Sequence, residues 1–146
     1  MPNIEKARIS SKHYGFVRAY AANSHPGPLS QINEDRVRVV TNLNKTTNKA
    51  RQVSFFAIYD GCDGACFADY MRDCFHVMLI KDDLFWKDVE AAIRSTVRKV
   101  EKSFNEDPAY SKDISSASFV IVVVIGTWMV IQESPATMCR LGSREQ

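Results

Sequence analysis

Apolar residues along the chain follow two different periods, and each period predicts a different element. Alternating or continuous apolar runs predict β-strands at residues 14–22, 35–43, 53–59, 119–125 and 128–132, with a last short strand at 136–141. In two further segments, about 67–79 and 86–105, apolar residues recur every three or four positions, which predicts two amphipathic helices. Strands therefore flank a pair of consecutive helices, and the expected fold class is α+β with mainly antiparallel strands and the helix pair packed on a sheet.

Three local features refine this expectation. Gly126-Thr127, between two predicted strands, suits a two-residue hairpin turn. Every residue from Phe119 to Ile125 is apolar, which is typical of a strand that is covered on both faces. Trp86 and Trp128 are expected to be core or interface anchors, because a large aromatic ring contributes most when it is buried.

Composition and charge exclude several classes of protein. The 146 residues are 45% apolar and 25% charged, which indicates one soluble globular domain. A net charge of +2 is too small to indicate binding to nucleic acid or to an anionic membrane. The longest apolar run is shorter than the about 20 residues of a membrane span. Residues 1–12 are polar, so we expect an intracellular, cytoplasmic protein with reduced cysteines; a cytoskeletal or ciliary assembly is the alternative location.

Acidic residues stand at the ends of two predicted strands. Glu34 and Asp35 stand at the start of the second strand, and Asp60 and Gly61 follow the third. If these strands are neighbours, the carboxylates converge, and a hard divalent cation such as Mg²⁺ or Mn²⁺ would relieve their repulsion. Gly61 could add its carbonyl because it has no Cβ, and such an ion could activate water for attack on phosphorus. The alternative is an ordinary Asp-Gly turn beside an ordinary exposed acidic pair.

Three cysteines and a histidine crowd the segment after Asp60. Cys62, Cys66, Cys74 and His76 have the spacing C-x3-C-x7-C-x-H, which is not a standard zinc-ligand spacing. Buried thiols on a helix are therefore preferred to a zinc site. His25, in "SHPGP", is expected to be an ordinary loop residue.

The order of these motifs resembles the metal-dependent serine/threonine protein phosphatases of type 2C. The matching segments are "RAYAANSHPG", "NEDRVRVV", "FFAIYDGCDGACFADYMRDCFH", "DVEAAIRSTVRKVEKSF" and "DISSASFVIVVVI". The resemblance implies a partial β-sandwich domain at residues 14–146 after a tail at 1–13. It also implies that Asp60, Gly61, Glu34 and Asp35 hold Mg²⁺ or Mn²⁺. If the domain is active, it is a phosphoserine and phosphothreonine phosphatase with Asp60 as the catalytic residue.

Several positions depart from the pattern of that family. Ser30 stands where the family has an arginine that grips the substrate phosphate, and a hydroxyl cannot replace a guanidinium fork. In "DGCDG", Cys62 and Asp63 replace a histidine and a glycine of the family motif. Ser116 replaces a glycine, and residues 132–135 carry only a degenerate form of a later motif. These changes affect phosphate binding, proton transfer and metal ligation together.

The departures predict a domain that is catalytically inactive and serves as a binding or structural component of a larger assembly. Because the chain ends at Gln146, about halfway through the family domain, we also expect the later metal-binding aspartates to be missing. The apolar sheet face around residues 119–125 should then be covered by a protein partner or by a second copy of the chain. Two alternatives stay open. One is an active phosphatase completed by further sequence or by a partner chain, and the other is an unrelated α+β domain.

Overall fold

The computed structural model describes residues 8–11, 13, 15–26 and 32–134. Its main sheet has four antiparallel strands in the order β3–β4–β5–β6: β3 (Arg36–Val40), β4 (Val53–Cys62), β5 (Ser116–Ile125) and β6 (Trp128–Glu133). Two helices, α1 (Cys66–Ile80) and α2 (Val89–Glu106), stand between β4 and β5 in the chain. A separate two-stranded antiparallel sheet pairs β1 (Arg8–Ser10) with β2 (Tyr20–Ala22). Short 3-10 helices lie at Lys49–Arg51 and Pro108–Tyr110. The α+β prediction is confirmed.

Most predicted elements are present, with differences at the N-terminal side and at the start of α2. The first predicted strand, 14–22, is reduced to β2, and β1 was not predicted. The helix expected from residue 86 begins only at Val89, because Asp88 caps it by accepting a hydrogen bond from the Ala91 amide at 2.9 Å. The strand predicted at 136–141 lies outside the described residues. None of the described helices is long and apolar enough to cross a membrane.

The N-terminus of α1 receives its cap from a distant part of the chain. Its own N-cap residue, Ala65, has no side chain that can accept a hydrogen bond. Instead the Ser115 hydroxyl, from the loop before β5, accepts from the Phe67 amide at 2.9 Å. Ser115 in turn donates to the Asp113 carboxylate. The serine-rich segment before β5 therefore joins the start of α1 to the start of β5.

Alternation along β4 and β5 divides the main sheet into two faces. The inner face packs under the two helices and carries side chains that are at most 5% exposed: Val53, Phe55, Ala57, Tyr59, Phe119, Ile121 and Val123. The helices add Met71, Phe75, Leu79, Ile93, Val100 and Phe104 to the same core. Burying one such large side chain contributes about 1.5–3 kcal/mol, so this interface is the main source of the domain's stability.

The opposite side, here called the outer face, is also apolar. It is formed by Val37, Val39, Phe56, Ile58, Val120, Val122, Met129 and Ile131, which lie in register across the four strands. The two-stranded sheet lies over part of it, since the Tyr20 ring meets the Phe56 ring edge-on at 6.0 Å. Ile58 and Val120 nevertheless stay 54% and 43% exposed. The prediction that residues 119–125 are covered on both faces is therefore met fully only on the inner face.

The turn and the tryptophans test two smaller expectations. Gly126-Thr127 forms the predicted two-residue turn, because Ile125 pairs with Trp128 and Gly126 has a φ of +56°. A Cβ at Gly126 would also lie 2.5 Å from the Ala50 carbonyl oxygen, so only glycine fits. Trp86 and Trp128 are 58% and 80% exposed. Neither is a core anchor, because one precedes α2 and the other begins the edge strand β6.

Candidate metal centre

Neighbouring strands bring two of the predicted site residues together. In the β3–β4 ladder Arg36 pairs with Tyr59, so the residue before Arg36, Asp35, lies beside the residue after Tyr59, Asp60. Asp60 in turn pairs with Ser118 of β5. By strand alternation Asp35 and Asp60 stand on the outer-face side, at one end of its apolar rows. This meeting of carboxylates is what the sequence predicted if the two strands were neighbours.

The electrostatics of Asp35 show how close this contact is. Its pKa is raised by desolvation, by the negative charge of Asp60, and by a hydrogen bond with the Asp60 carboxyl group, while Arg36 acts in the opposite direction. Two carboxylates this close repel each other when both are ionised, which favours the protonated form of Asp35. A hard divalent cation could relieve that repulsion, and oxygen donors are the ligands that Mg²⁺ and Mn²⁺ prefer.

Gly61 is required at its position by the backbone of the other acidic segment. A Cβ placed on Gly61 would lie 2.5 Å from the Glu34 carbonyl oxygen and 3.0 Å from the Glu34 Cβ. Any other residue would push the Glu34–Asp35 segment away from β4. Sequence reasoning attributed this glycine to close approach of an ion, and the structure supplies a second reason, which is close approach of Glu34.

A cleft of about 250 Å³ opens at this end of the sheet. It is lined by His25, Pro26, Ile32, Asn33, Glu34, Asp35 and Gly61. Asn33 orders this rim because its Oδ1 accepts from the Asp35 amide at 3.0 Å and its Nδ2 donates to Ser24 Oγ at 2.7 Å. The cleft therefore joins the acidic segment to the loop that follows β2.

His25 is the residue of this cleft that sequence reasoning missed. The ring lies with Nδ1 at 2.6 Å from the Pro26 carbonyl oxygen, so Nδ1 donates a hydrogen to that oxygen. The sequence predicts an ordinary loop residue at this position, and His25 is indeed in a loop. Its sequence neighbourhood of prolines gave no signal that the loop folds back over Glu34 and Asp35.

The described residues provide few ligands for a metal ion at this site. Within the described ranges, no three histidine, cysteine, aspartate or glutamate side chains come close enough together to hold a metal ion. The residues therefore fit a cation only in part, through one carboxylate pair and nearby backbone oxygens. Ser30, the position of the family arginine, lies outside the described residues.

The cysteines after Asp60 do not gather around His76. The His76 ring instead lies with Nε2 at 3.0 Å from an Arg38 guanidinium nitrogen. Cys74 donates to the Tyr70 carbonyl at 3.0 Å, and burial raises its pKa to about 11. Cys62 and Cys66 are exposed, so the prediction of buried thiols is wrong for these two. Cys62 is the last residue of β4 and Cys66 is the first residue of α1, whose buried residues begin at Phe67.

Asp63 explains one departure from the family motif. It has a φ of +57°, in the left-handed region that glycine adopts freely and that aspartate tolerates at a cost of about 1 kcal/mol. The following residue, Gly64, also has a positive φ of +121°. The loop between Asp60 and α1 thus keeps a glycine-type backbone even though Asp63 has replaced a glycine.

Comparison with known proteins decides the family. The family model described as protein phosphatase 2C matches residues 29–131 of this chain. This segment contains β3, β4, both helices, β5 and the acidic end of the sheet. The chain belongs to the protein phosphatase 2C family. The third possibility raised by the sequence, an unrelated α+β domain, is thereby excluded.

Relatives within the family are distant and longer. Protein phosphatase 2C homolog 2 of Aspergillus flavus is 29% identical over 80 residues, which is 54% of this chain and 18% of that protein. Probable protein phosphatase 2C 42 and probable protein phosphatase 2C 44 of Oryza sativa subsp. japonica are 28% identical over 115 residues and 26% over 102 residues. These matches cover 79% and 68% of this chain, and 30% and 32% of the two rice proteins. The chain thus spans less than a third of each relative's length.

Proposed function

We propose that this protein phosphatase 2C-like domain is a non-catalytic binding component that keeps a weak site for one Mg²⁺ or Mn²⁺ ion. The observation that supports the proposal is the isolated carboxylate pair, Asp35 and Asp60, at the end of the outer face. Glu34 and Gly61 lie against each other beside this pair and would contribute backbone or carboxylate oxygens. When bound, the ion would supply positive charge between the two carboxylates.

The changed residues around the pair argue against phosphoryl chemistry. Ser30 offers no positive charge to a substrate phosphate, and losing one such charge-stabilising donor typically lowers kcat by about 10²–10³-fold. Cys62 stands exposed in the position of the family histidine, and thiols as a class are weaker acids than the imidazolium of histidine. Each change alone weakens catalysis, and together they act on separate steps.

The outer face supplies the binding role in this proposal. Its apolar side chains form a continuous patch, and Ile58, Val120 and Ile131 are between 43% and 59% exposed. A contiguous apolar patch on a sheet is typical of a surface that another protein covers. We propose that a protein surface, either a second copy of this chain or a partner, packs against it. An intracellular setting, cytoplasmic or in a cytoskeletal or ciliary assembly, is part of this proposal.

The test combines metal binding with turnover. We expect calorimetric titration of Mn²⁺ to detect binding in the millimolar range that is lost in Asp60→Asn. Asp83→Asn, at an exposed carboxylate between the helices, is the matched control and should bind as the wild type does. The same proteins should not release phosphate from a phosphothreonine peptide at any Mn²⁺ concentration. Mn²⁺-dependent turnover that Asp60→Asn abolishes would contradict the non-catalytic role.

A working Mg²⁺- or Mn²⁺-dependent serine/threonine phosphatase is the second candidate, and His25 favours it. Its imidazole lines the cleft beside Asp35 and Gly61, so it could supply the proton that the family histidine would give. The site would then be completed by further sequence or by a partner chain. Under this candidate His25→Ala should lower kcat while Mn²⁺ affinity stays unchanged. Equal phosphate release by wild type and His25→Ala would remove the argument.

A further inference from the structure

We propose that Arg36 is a positioning residue, which clamps the acidic segment at residues 33–35 to α1 and thereby sets the spacing between Asp35 and Asp60. The inference rests on the proposed cation site for its functional consequence, but the clamp itself is a property of the fold. Nothing in the sequence pattern singled out Arg36, because it belongs to an alternating strand and resembles a solvent-facing charge.

Four hydrogen bonds from the Arg36 guanidinium carry the argument. Its Nε and one terminal nitrogen donate to the two oxygens of Asp69 on α1, at 2.6 and 3.0 Å. Its other terminal nitrogen donates to the carbonyl oxygens of Asn33 and Asp35, at 2.7 and 2.9 Å. The Arg36 side chain is only 17% exposed. A planar guanidinium can make both sets of contacts at once, and no other side chain can.

The backbone geometry shows what the clamp holds. Carbonyl groups point to alternate sides of an extended segment, so those of Asn33 and Asp35 face Arg36 while that of Glu34 faces Gly61. Arg36 therefore donates hydrogen bonds to one side of the segment, and Gly61 of β4 contacts the other side. The acidic segment is held between two supports, and its distance from Asp60 depends on both.

Asp69 gives the clamp a rigid base. Arg72 binds the same carboxylate, with its NH1 at 2.6 Å from Asp69 Oδ1, so Asp69 is held between two guanidinium groups. Asp69 stands in the first turn of α1, a helix that packs against β4 through Met71, Phe75 and Leu79. The helix that follows Asp60 thus also fixes the segment that carries Asp35. Groups that orient a metal ligand in this way typically change metal affinity by about 10–100-fold when they are replaced.

The test uses the full chain and two measurements on the same variants. Arg36→Lys keeps one positive charge near Asp69 but cannot also reach both carbonyl groups. We expect Arg36→Lys to weaken Mn²⁺ binding about tenfold and to accelerate amide hydrogen exchange at Glu34, Asp35 and Arg36. Exchange at Phe55 and Ala57, in the middle of β4, should stay as in the wild type.

Lys99→Met is the matched control, because it removes an ion pair of similar length, 2.7 Å, between Lys99 of α2 and buried Asp82, which follows the C-terminal end of α1. It should lower thermal stability at least as much as Arg36→Lys and leave both Mn²⁺ affinity and exchange at residues 34–36 unchanged. Unchanged exchange in Arg36→Lys would overturn the clamp, whatever the metal data show. Faster exchange with wild-type Mn²⁺ affinity would overturn its role in spacing the ligands. A wild-type chain that binds no Mn²⁺ while exchange at residues 34–36 still accelerates in Arg36→Lys would refute the proposed cation site and leave the clamp supported.

Discussion

At the scale of single residues, the repulsion between Asp35 and Asp60 lowers the stability of the fold. Because the pKa of Asp35 is raised in the folded chain, the stability associated with it is complete below its ordinary pKa near 3.8 and is lost as the pH rises through the raised value. At neutral pH, therefore, the carboxylate pair without a cation destabilises the domain. A bound cation would reverse this cost, so metal binding and stability should be coupled.

Asp35→Asn should accordingly stabilise the chain in the presence of a chelator. The gain should be below about 1 kcal/mol, because Asp35 is exposed enough for solvent to screen its repulsion from Asp60. In millimolar Mn²⁺ the order should invert, since the variant has lost a ligand. Thermal unfolding at pH 7 with chelator and with Mn²⁺ measures both effects. A variant that is less stable than the wild type in chelator would contradict the repulsion argument.

His76 should make the stability depend on pH in the opposite direction. Burial and the neighbouring Arg38 lower its pKa to about 4, with Asp73 acting against them, whereas in the unfolded chain it should be near 6.5. Between these values the unfolded chain binds more protons, so the free energy of unfolding falls as the pH drops from about 6.5 towards 4.

His76→Gln should remove about 2 kcal/mol of this pH dependence. Glutamine keeps an oxygen that can accept from Arg38 but has no proton to gain in this range. Urea unfolding at pH 7.0 and pH 4.5 gives the comparison, and the exposed His25→Gln serves as the control. Carboxylates away from His76 titrate alike in all three proteins and cancel, whereas Asp73, whose pKa His76 helps to lower, contributes to the measured difference. Equal pH dependence in wild type and His76→Gln would show that another group is responsible.

The site residues show what sequence reasoning could reach. Asp60 and Asp35 were predictable because their positions at strand ends are local features, and an antiparallel pairing brings such ends together. Arg36 and His25 were not predictable, since their contacts depend on where α1 and the loop after β2 return in space. A guanidinium that bonds to two backbone carbonyls leaves no periodic or compositional trace.

At the scale of elements, both helices were predicted because their apolar stripes are buried against the sheet, and burial decides helix formation. Their ends were less predictable. Asp88 caps α2 from the adjacent residue, which is a local signal, whereas the cap of α1 comes from Ser115, which stands 48 residues after Phe67. The strand β1 has only three residues and pairs with an equally short β2, so no apolar period could indicate it.

Ser115→Ala should therefore act as the loss of a helix cap. The change leaves the Phe67 amide without its acceptor in a buried position, and we expect the free energy of unfolding to fall by about 1–2 kcal/mol. Ser111→Ala, at an exposed serine whose hydroxyl donates to the Pro108 carbonyl, should change it by less than about 0.5 kcal/mol. Chemical denaturation of both variants tests this, and equal effects would mean that the distant cap contributes nothing.

At the scale of the whole molecule, the sequence predicted how the sheet and the helices pack. It predicted less well how far the outer face of the sheet is covered. The order of strands and helices predicted an antiparallel sheet with helices on one side, because consecutive elements pack against each other. The run at 119–125 predicted cover on both sides, yet Val120 is 43% exposed. An apolar pattern indicates that a face of a strand is buried. It does not indicate whether the surface that covers this face belongs to the same chain.

The outer face should therefore govern association of the chain. Ile58→Lys places a charge in the row that joins Val37, Ile58 and Val120, where any apolar partner surface would have to exclude it from water. Ile114→Lys, at a residue that is 72% exposed in the loop before β5, adds the same charge away from this face. Sedimentation over a hundredfold range of concentration should show self-association of the wild type and of Ile114→Lys but not of Ile58→Lys.

Thermal unfolding and the binding of an apolar dye decide how the sedimentation result is interpreted. Ile58 is half exposed, so its replacement should lower the unfolding temperature little while it disrupts the interface. If all three proteins were monomers that bound no apolar dye, the outer face would be closed within the chain itself, and the binding role would lose its surface. If the wild type were a monomer that bound the dye and Ile58→Lys bound less, a different protein would be the occupant. The same apolar face would then require a partner rather than a second copy.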